Sequence, residues 1–407
     1  MAANGTGARL KEWAAILIML SSAPSLSLIF TVTPPVMPMM AAHFGPGGRP
    51  AIVIPWLGLE IDSVLFAQLI TGMPSAGLIL GGPLTGLLID RLGVRRVMIG
   101  GAAVYAFLGS AGLYIDNAAL LLASRFVLGF AAIAFAASTI ALIGARFTDA
   151  ARARMVSYRQ FVGSVGGIAA TLIAGQIGEF GWHAPFALFL VVFLLVPIAL
   201  WAVPAMPPLA RADRGAAESL RFLWPTFALV AGLAVVMMMN ATQVPFLLRD
   251  IGISTPASIS RVTVMGSVTS MLGSLTYSLL GPKLGTRANY SLIAAALGVG
   301  VMAVGLSHDA LSARIGVGLA GLGAGYLNPH FGRFVLDRAP PAARGRAVGL
   351  YFSAIYLGDL MNPFVVRPIA NLIGIHQAFL AFGAIIAVTA LQIVVPGRPA
   401  PMKERKA

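Results

Sequence analysis

The chain has no cysteine, and only 14 acidic residues stand against 28 lysines and arginines in 407 positions. The first absence excludes disulfides and thiolate metal sites and leaves the redox compartment unread. The scarcity of charge excludes more. Charged residues make up 10% of the chain, where a soluble domain carries about 25%. Too few charges remain to cover a water-facing surface, and the mean hydropathy of +0.87 has the same cause. There is no GxxxxGKS or GxxxxGKT loop, so the chain does not hydrolyse ATP through a P-loop. Its five histidines are scattered and form no metal-ligand cluster. No serine nucleophile with a base and an orienting acid is evident. The sequence therefore predicts no enzyme, no cofactor and no metal. The net charge of +14 does not point to nucleic acid either, because the basic residues sit in short clusters between apolar stretches.

What is present is apolar length. Hydrophobic residues make up 58% of the chain. Crossing the ~30 Å of bilayer hydrocarbon takes about 20 mainly apolar residues. Twelve stretches satisfy this: 13–40, 62–89, 95–115, 117–143, 156–179, 183–203, 222–247, 259–281, 287–307, 310–332, 346–368 and 375–396. The first starts at Trp13 and runs well past the core of a secretory signal, so it reads as a retained helix.

Basic residues give the orientation. With the N-terminus in the cytoplasm, 22 lysines and arginines fall in the termini and even-numbered loops, about five fall on the other side, and Arg125 lies inside a helix. That asymmetry predicts both termini in the cytoplasm and an even number of helices. The most polar long connection, 204–221, carries Pro204, Pro207, Pro208, Arg211, Asp213, Arg214 and Glu218. It reads as a cytoplasmic linker between an N-terminal six-helix bundle, 1–203, and a C-terminal bundle with a short cytoplasmic tail, 222–407. The halves also repeat. Leu92, Gly93 and Arg95 match Leu284, Gly285 and Arg287 at a shift of 192, as Arg152 and Arg154 match Arg344 and Arg346. Parallel repeats of this kind characterise many secondary transporters, whose substrate binds near the midplane between halves.

The sharpest motif joins helices 2 and 3: Gly86, Asp90, Arg91, Gly93, Arg95 and Arg96 form GxxxDRxGxRR. Gly86 allows a neighbouring backbone to approach, and Gly93 can take a positive φ. Asp90 sets a negative charge at the membrane edge, where a helix N-terminus or an arginine can receive it. The arginines anchor the loop to headgroups. Ordinary basic anchoring around a turn accounts for the arginines, but not for Asp90 and both glycines at this spacing. The motif resembles the signature loop of the major facilitator superfamily. A weaker copy, Gly281 to Arg287, has Pro282 where the acidic residue would stand, so a gate based on that acid should be asymmetric. The resemblance covers essentially the whole chain. It implies an all-α membrane protein of twelve transmembrane helices in two six-helix bundles, working by alternating access, most like the drug:proton antiporter group.

Polar residues inside the helices are the remaining candidates. Arg125 in helix 4 begins an RxxxG that resembles the helix-4 motif of proton-linked family members; the alternative is an arginine snorkelling to the headgroups. In helix 11, Tyr356, Asp359 and Asn362 share one face. Asp359 is the one carboxylate well inside a predicted helix, which marks it for proton exchange or for structural hydrogen bonding. Gln68, Asn240, Gln243 and Asn328, with Tyr356 and Asn362, are candidate substrate contacts; the alternative for the amides is interhelical bonding. His330 lies near a helix end and is left out of the mechanism. Helix 5 is glycine-rich but lacks the Gly-Pro pair of the antiporter motif. The expected function is proton-coupled export of a small organic or drug-like molecule. The alternatives are proton-coupled uptake of a metabolite or organic anion with Arg125 as counter-ion, and a transporter-like sensor or assembly factor. Expected partners are the small-molecule substrate, protons and the bilayer, with no nucleic acid and a monomeric state, in a bacterial inner membrane.

Overall fold

The computed structural model describes residues 3–54, 58–204 and 220–393. Nearly all of the predicted linker lies outside the described residues, as do the predicted tail from 394 and the end of the twelfth stretch. Helices follow all twelve predicted stretches: α1 (Ala3–Thr31), α2 (Ser63–Leu92), α3 (Val94–Gly109), α4 (Ala118–Arg146), α5 (Asp149–Gly178), α6 (Ala184–Ala202), α7 (Trp224–Thr242), α8 (Pro256–Leu280), α9 (Thr286–Gly305), α10 (Ala310–Arg338), α11 (Arg344–Ile373) and α12 (Ile375–Thr389). Among the described residues, nine helices are long and apolar enough to cross a membrane by length and composition. Of the others, α12 is short, at 15 residues. Helices α8 and α11 are long, at 25 and 30 residues, but rich in serine, threonine and glycine or interrupted by charge. Both lie on the seam described below, which explains their polarity.

Three local features depart from the predicted helices. Residues 13–40 are not one helix: α1 stops at Thr31, and Pro34 and Pro35 open a single turn before a second helix, Met37–Phe44. The stretch 222–247 breaks likewise, with α7 ending at Thr242 and Pro245 at the start of Val244–Asp250. Proline has no N–H to donate to the preceding turn, so each break falls where the sequence removes that bond. Between α1 and α2 a small antiparallel hairpin pairs β1 (Ile52–Ile54) with β2 (Leu59–Ile61), the one β element among the described residues. Gly93 ends α2 at φ 82°, the left-handed turn expected of it. Its counterpart Gly285 does not share it, at φ −67°.

Short connections make successive helices antiparallel. Twelve passes therefore bring both described ends to one face, here the terminal face; the opposite face is the distal one. Two apolar cores form separately. One gathers Ile18, Phe66, Tyr105, Phe135 and Phe186 from α1–α6. The other gathers Leu223, Val262, Ile293, Leu327 and Phe379 from α7–α12. They meet along a seam where α2 faces α11 and α5 faces α8.

The seam is closed at its distal end. There Arg367 pairs with Asp62 at 3.3 Å, and Glu179 accepts the Ala257 N–H at 2.9 Å. A Cβ on Gly175 would lie 2.0 Å from Ser260 Oγ, so the helices touch through that glycine. Toward the terminal face the halves part. Leu80, Leu84 and Leu87 of α2, Tyr158 and Phe161 of α5, and Leu272, Leu275 and Leu279 of α8 are exposed. Nothing lies within 4 Å of a Cβ built on Gly86 or Gly349. The contacts named across the seam thus gather toward its distal end, and we read the halves as parted by a cleft toward the terminal face. This corrects the expectation for Gly86: no backbone approaches it.

A candidate transport site on the seam

The distal end of the cleft is roofed by a chain of neutral polar groups. Gln68 Nε2 of α2 donates to Gln243 Oε1 at 2.9 Å, across the seam. Thr242 donates to Asn362 Oδ1 at 2.6 Å, and Asn362 Nδ2 donates to the Val235 carbonyl at 2.7 Å. All four polar side chains are buried to within about 1% of full burial. Gln243 stands at the junction of α7 and Val244–Asp250, still in helical conformation, with its N–H bonded to the Met239 carbonyl at 2.9 Å. Three of the expected substrate contacts, Gln68, Gln243 and Asn362, thus have partners in one another. Asn240 was paired in sequence with Gln243, one turn away. The structure does not bring the two together: Asn240 is half-buried, and its Oδ1 has no partner. Asn328 of α10 is exposed and accepts from the Tyr351 hydroxyl at 3.0 Å.

Below the roof sit the charges. Asp359, midway along α11, is 5% exposed and is the one buried carboxylate among the described residues. Its Oδ1 has no hydrogen-bond partner. Across the seam its backbone faces Gly72 of α2, where a Cβ would stand 3.5 Å from the Asp359 carbonyl. One turn toward the terminal face, Tyr356 packs on the N-terminal core and so crosses the seam. It lies in electrostatic range of both Asp359 and Arg159.

Arg159 was missed in the sequence, where it counts with the cytoplasmic loops. That assignment is corrected here: α5 begins at Asp149, so Arg159 lies about three turns inside it, 8% exposed. It is positioned by α1, donating from Nε to Ser22 Oγ at 2.8 Å, while Thr139 of α4 donates to the same oxygen at 2.7 Å. The signal existed. Arg152 and Arg154 match Arg344 and Arg346, and α11 starts at Arg344. An equally early start on α5 would have put Arg159 deep in the helix rather than at the edge of the stretch 156–179. Removing it leaves 21 basic residues on the terminal side against five, so the asymmetry stands.

Arg125 is held otherwise. At 2% exposure it donates from Nη2 to the carbonyls of Leu108 and Gly109, where α3 ends. Its guanidinium lies 5.2 Å from the Phe186 ring and 5.8 Å from the Phe189 ring. A cation over the last carbonyls of a helix meets the negative end of its dipole, and the ring faces add cation–π attraction. These partners are all in the N-terminal half, and the structure does not join Arg125 to Asp359. In the loop motif, Asp90 takes part in no ion pair within the described residues. Arg95 donates to the Leu200 carbonyl at 2.6 Å, tying α3 to the end of α6.

Comparison with known proteins adds to this geometry. The family described as Major Facilitator Superfamily matches residues 19–358 and, in a second match, 226–407. The multidrug efflux pump LfrA of Mycolicibacterium smegmatis is 26% identical over 203 residues, which is 49% of this chain and 36% of that protein. The multidrug efflux pump Tap of Mycolicibacterium fortuitum is 26% identical over 172 residues, 41% of this chain and 42% of that protein. These matches span well under two thirds of the relatives' lengths. Among solved structures, a D-xylose-proton symporter aligns at TM-score 0.71 and 14% identity, over 94% of this chain and 98% of that one. A peptide transporter, POT, aligns at TM-score 0.72 and 14% identity, over 93% of both chains. The structural likenesses establish the fold.

Proposed function

The chain belongs to the major facilitator superfamily, a multi-pass secondary transporter and not an enzyme, and from that premise we propose that it exports a small amphiphilic organic molecule in exchange for protons. Two names support the direction, since both LfrA and Tap are multidrug efflux pumps. We place the chain in a bacterial inner membrane as a monomer, both ends cytoplasmic, its bundles at 1–203 and 222–407. The cleft then opens to the cytoplasm.

The observation that carries the proton reading is Asp359. Burying an unpaired carboxylate charge costs several kcal/mol. Gain or loss of its proton is therefore tied to a rearrangement that supplies water or a partner. Tyr356 and Arg159 are the polar groups placed to respond, and both cross or border the seam that must open and close. Asp359 takes the proton, Arg159 and Tyr356 tune it, and Arg125 braces α3 against α4 and α6. The polar roof closes the distal end while substrate enters from the cytoplasm, with Asn240, Asn328 and Tyr356, none of them fully buried, as its polar contacts. Asp90 and its loop stabilise the opposite state, in which the terminal ends meet. The uptake reading loses its proposed counter-ion, because the guanidinium of Arg125 is taken up by backbone carbonyls.

The test uses purified protein. A thermal-shift screen against a library of lipophilic dyes and drugs first identifies a ligand, since binding stabilises the native state. Proteoliposomes with and without an imposed proton gradient then compare wild type with Asp359→Asn. The variant should keep the ligand-induced thermal shift and lose gradient-driven accumulation. If Asp359→Asn still concentrates the ligand in response to the gradient, the proton site lies elsewhere.

A further inference from the structure

Two adjoining chambers open in the C-terminal half near the terminal face, outside the central cleft. The larger, about 420 Å³, lies among the ends of α7, α9 and α10, with Thr226, Leu229, Tyr290, Phe331 and Phe334 on its walls. The smaller, about 200 Å³, is polar and lies where the loop from Gly281 to Gly285 meets the end of α10. Thr286, His330 and Phe334 line both, so the chambers share a wall.

The charge there is mainly positive. Arg287 lines the larger chamber; Arg333, Arg338 and Asp337 line the smaller. Asp337 is paired with Arg333 at 3.4 Å, and Arg338 lies over the Phe334 ring. Helix α9 begins at Thr286 behind Gly285, which offers no capping side chain, and Thr286 itself lines both chambers. Such a terminus attracts anions. A second observation points the same way. His330 is only 4% exposed, it borders both chambers, and its Nε2 is buried with no hydrogen-bond partner. Its ring is boxed by Tyr277, Phe331 and Phe334, with centroids at 6.0, 5.1 and 6.4 Å. A buried polar nitrogen left unmatched is costly unless a ligand supplies the missing partner.

We propose that this site binds one anionic phospholipid, its phosphate held at the α9 N-terminus by Arg287, Arg333 and His330 and the start of one acyl chain lying in the aromatic chamber. The paired chemistry selects the occupant. A free anion would use the polar chamber and leave the larger, aromatic one empty. A zwitterionic lipid would fill both but place its cation among the arginines. The site also stands where a headgroup is found, at the helix ends of the terminal face, and basic pockets between membrane helices recognise anionic headgroups. It occupies the C-terminal copy of the loop motif, where Pro282 stands in place of the acidic residue, and the acid that does line the polar chamber, Asp337, is paired with Arg333. The proposal holds whichever way the transporter runs.

Native mass spectrometry of the delipidated protein tests it, with dioleoyl phosphatidylglycerol and dioleoyl phosphatidylcholine added as probes. Wild type should retain one phosphatidylglycerol in clear preference. Arg287→Gln and Arg333→Gln should each weaken that retention about fivefold. Both arginines are exposed, so these variants should remain folded, as a monodisperse elution profile would confirm. His330→Phe keeps the aromatic packing and should also weaken retention. Arg146→Gln, an exposed arginine of the other half, should leave it unchanged. Three results each overturn the proposal: equal retention of phosphatidylcholine, retention unchanged in Arg287→Gln and Arg333→Gln, or displacement of the lipid by an equal concentration of inorganic phosphate.

Discussion

The distal seam makes a quantitative prediction, because one ion pair there joins the halves and can be broken without disturbing either helix. Asp62 Oδ1 does two things. It caps α2 by accepting the N–H groups of Val64 and Leu65 at 2.9 and 3.0 Å, and it receives Arg367 from α11 at 3.3 Å. Asparagine caps a helix about as well as aspartate. Asp62→Asn therefore keeps the start of α2 and removes only the charge that meets Arg367. The side chains are 48% and 27% exposed, so water screens part of the attraction. Pairs of this kind contribute about 0.2–1 kcal/mol. The upper end corresponds to roughly a fivefold change in population. Loss of the pair should favour the state open at the distal face by up to that factor. The absence of native cysteine supplies the assay. Val36 is fully buried, and it touches Gly178 beside Pro256 of α8, on the distal seam. In a Val36→Cys background, an impermeant maleimide should label up to about fivefold faster once Asp62→Asn is added. Arg367→Gln should have the same effect, and the double variant should add little, because both remove one interaction. Unchanged labelling in both single variants would refute the view that this pair holds the distal end shut.

The terminal-side gate should respond in the opposite sense. Asp90→Asn is expected to slow Val36→Cys labelling by about two- to fivefold, since a charge at a helix terminus contributes roughly 0.3–1 kcal/mol, and to reduce turnover more than ligand binding. Gly129→Ala should destabilise the crossing of α2 and α4, where a Cβ would fall 1.9 Å from the Pro74 carbonyl oxygen; overpacking of this order costs about 1–3 kcal/mol, read as a lower Tm of the purified protein. Reporter fusions at Lys406 and within 204–221 should both report cytoplasm, and a signal from the other side at either point would overturn the orientation drawn from the basic residues.

The helical stretches were legible because hydrocarbon thickness imposes a length. Helix ends were less legible. Hydropathy sees only the lipid-buried part of a helix, and α5 continues from Ala153 back to Asp149 through Arg152 without an apolar signal. With the stretch drawn from 156, Arg159 stood at its edge and was counted with the loop. The proline breaks were in plain view as Pro34, Pro35 and Pro245, but their consequence was not. The junction after α7 holds Gln243, whose side chain reaches Gln68 across the seam, a contact no single helix pattern announces. The amides of Gln68, Gln243 and Asn362 illustrate the limit of reading polar residues one by one: each alone is a plausible substrate contact, and together they bond to one another, leaving Gln68 Oε1 unpartnered.

Cost arguments had the same limit. A deep charge in a membrane helix demands a partner, and that reasoning treats Arg125 and Asp359 alike. The partners separate them. Arg125 is bonded to the end of α3 and faced by two rings of α6, all within the N-terminal half, so rigid rocking of the halves leaves every one of its contacts intact. Arg159, Tyr356 and Asp359 lie otherwise: Arg159 is anchored to α1 through Ser22, Asp359 belongs to α11, and Tyr356 reaches from α11 onto the N-terminal core. Movement of one half against the other changes the distances from Arg159 to Tyr356 and Asp359, and the contact of Tyr356 with the N-terminal core. A charge whose surroundings are fixed through the cycle can stabilise the fold but cannot couple anything to the cycle. A charge whose surroundings differ between the two states must be linked to the change of state. Depth in the membrane thus identifies which charges need explaining, and the position of their partners relative to the seam decides which of them can do transport work.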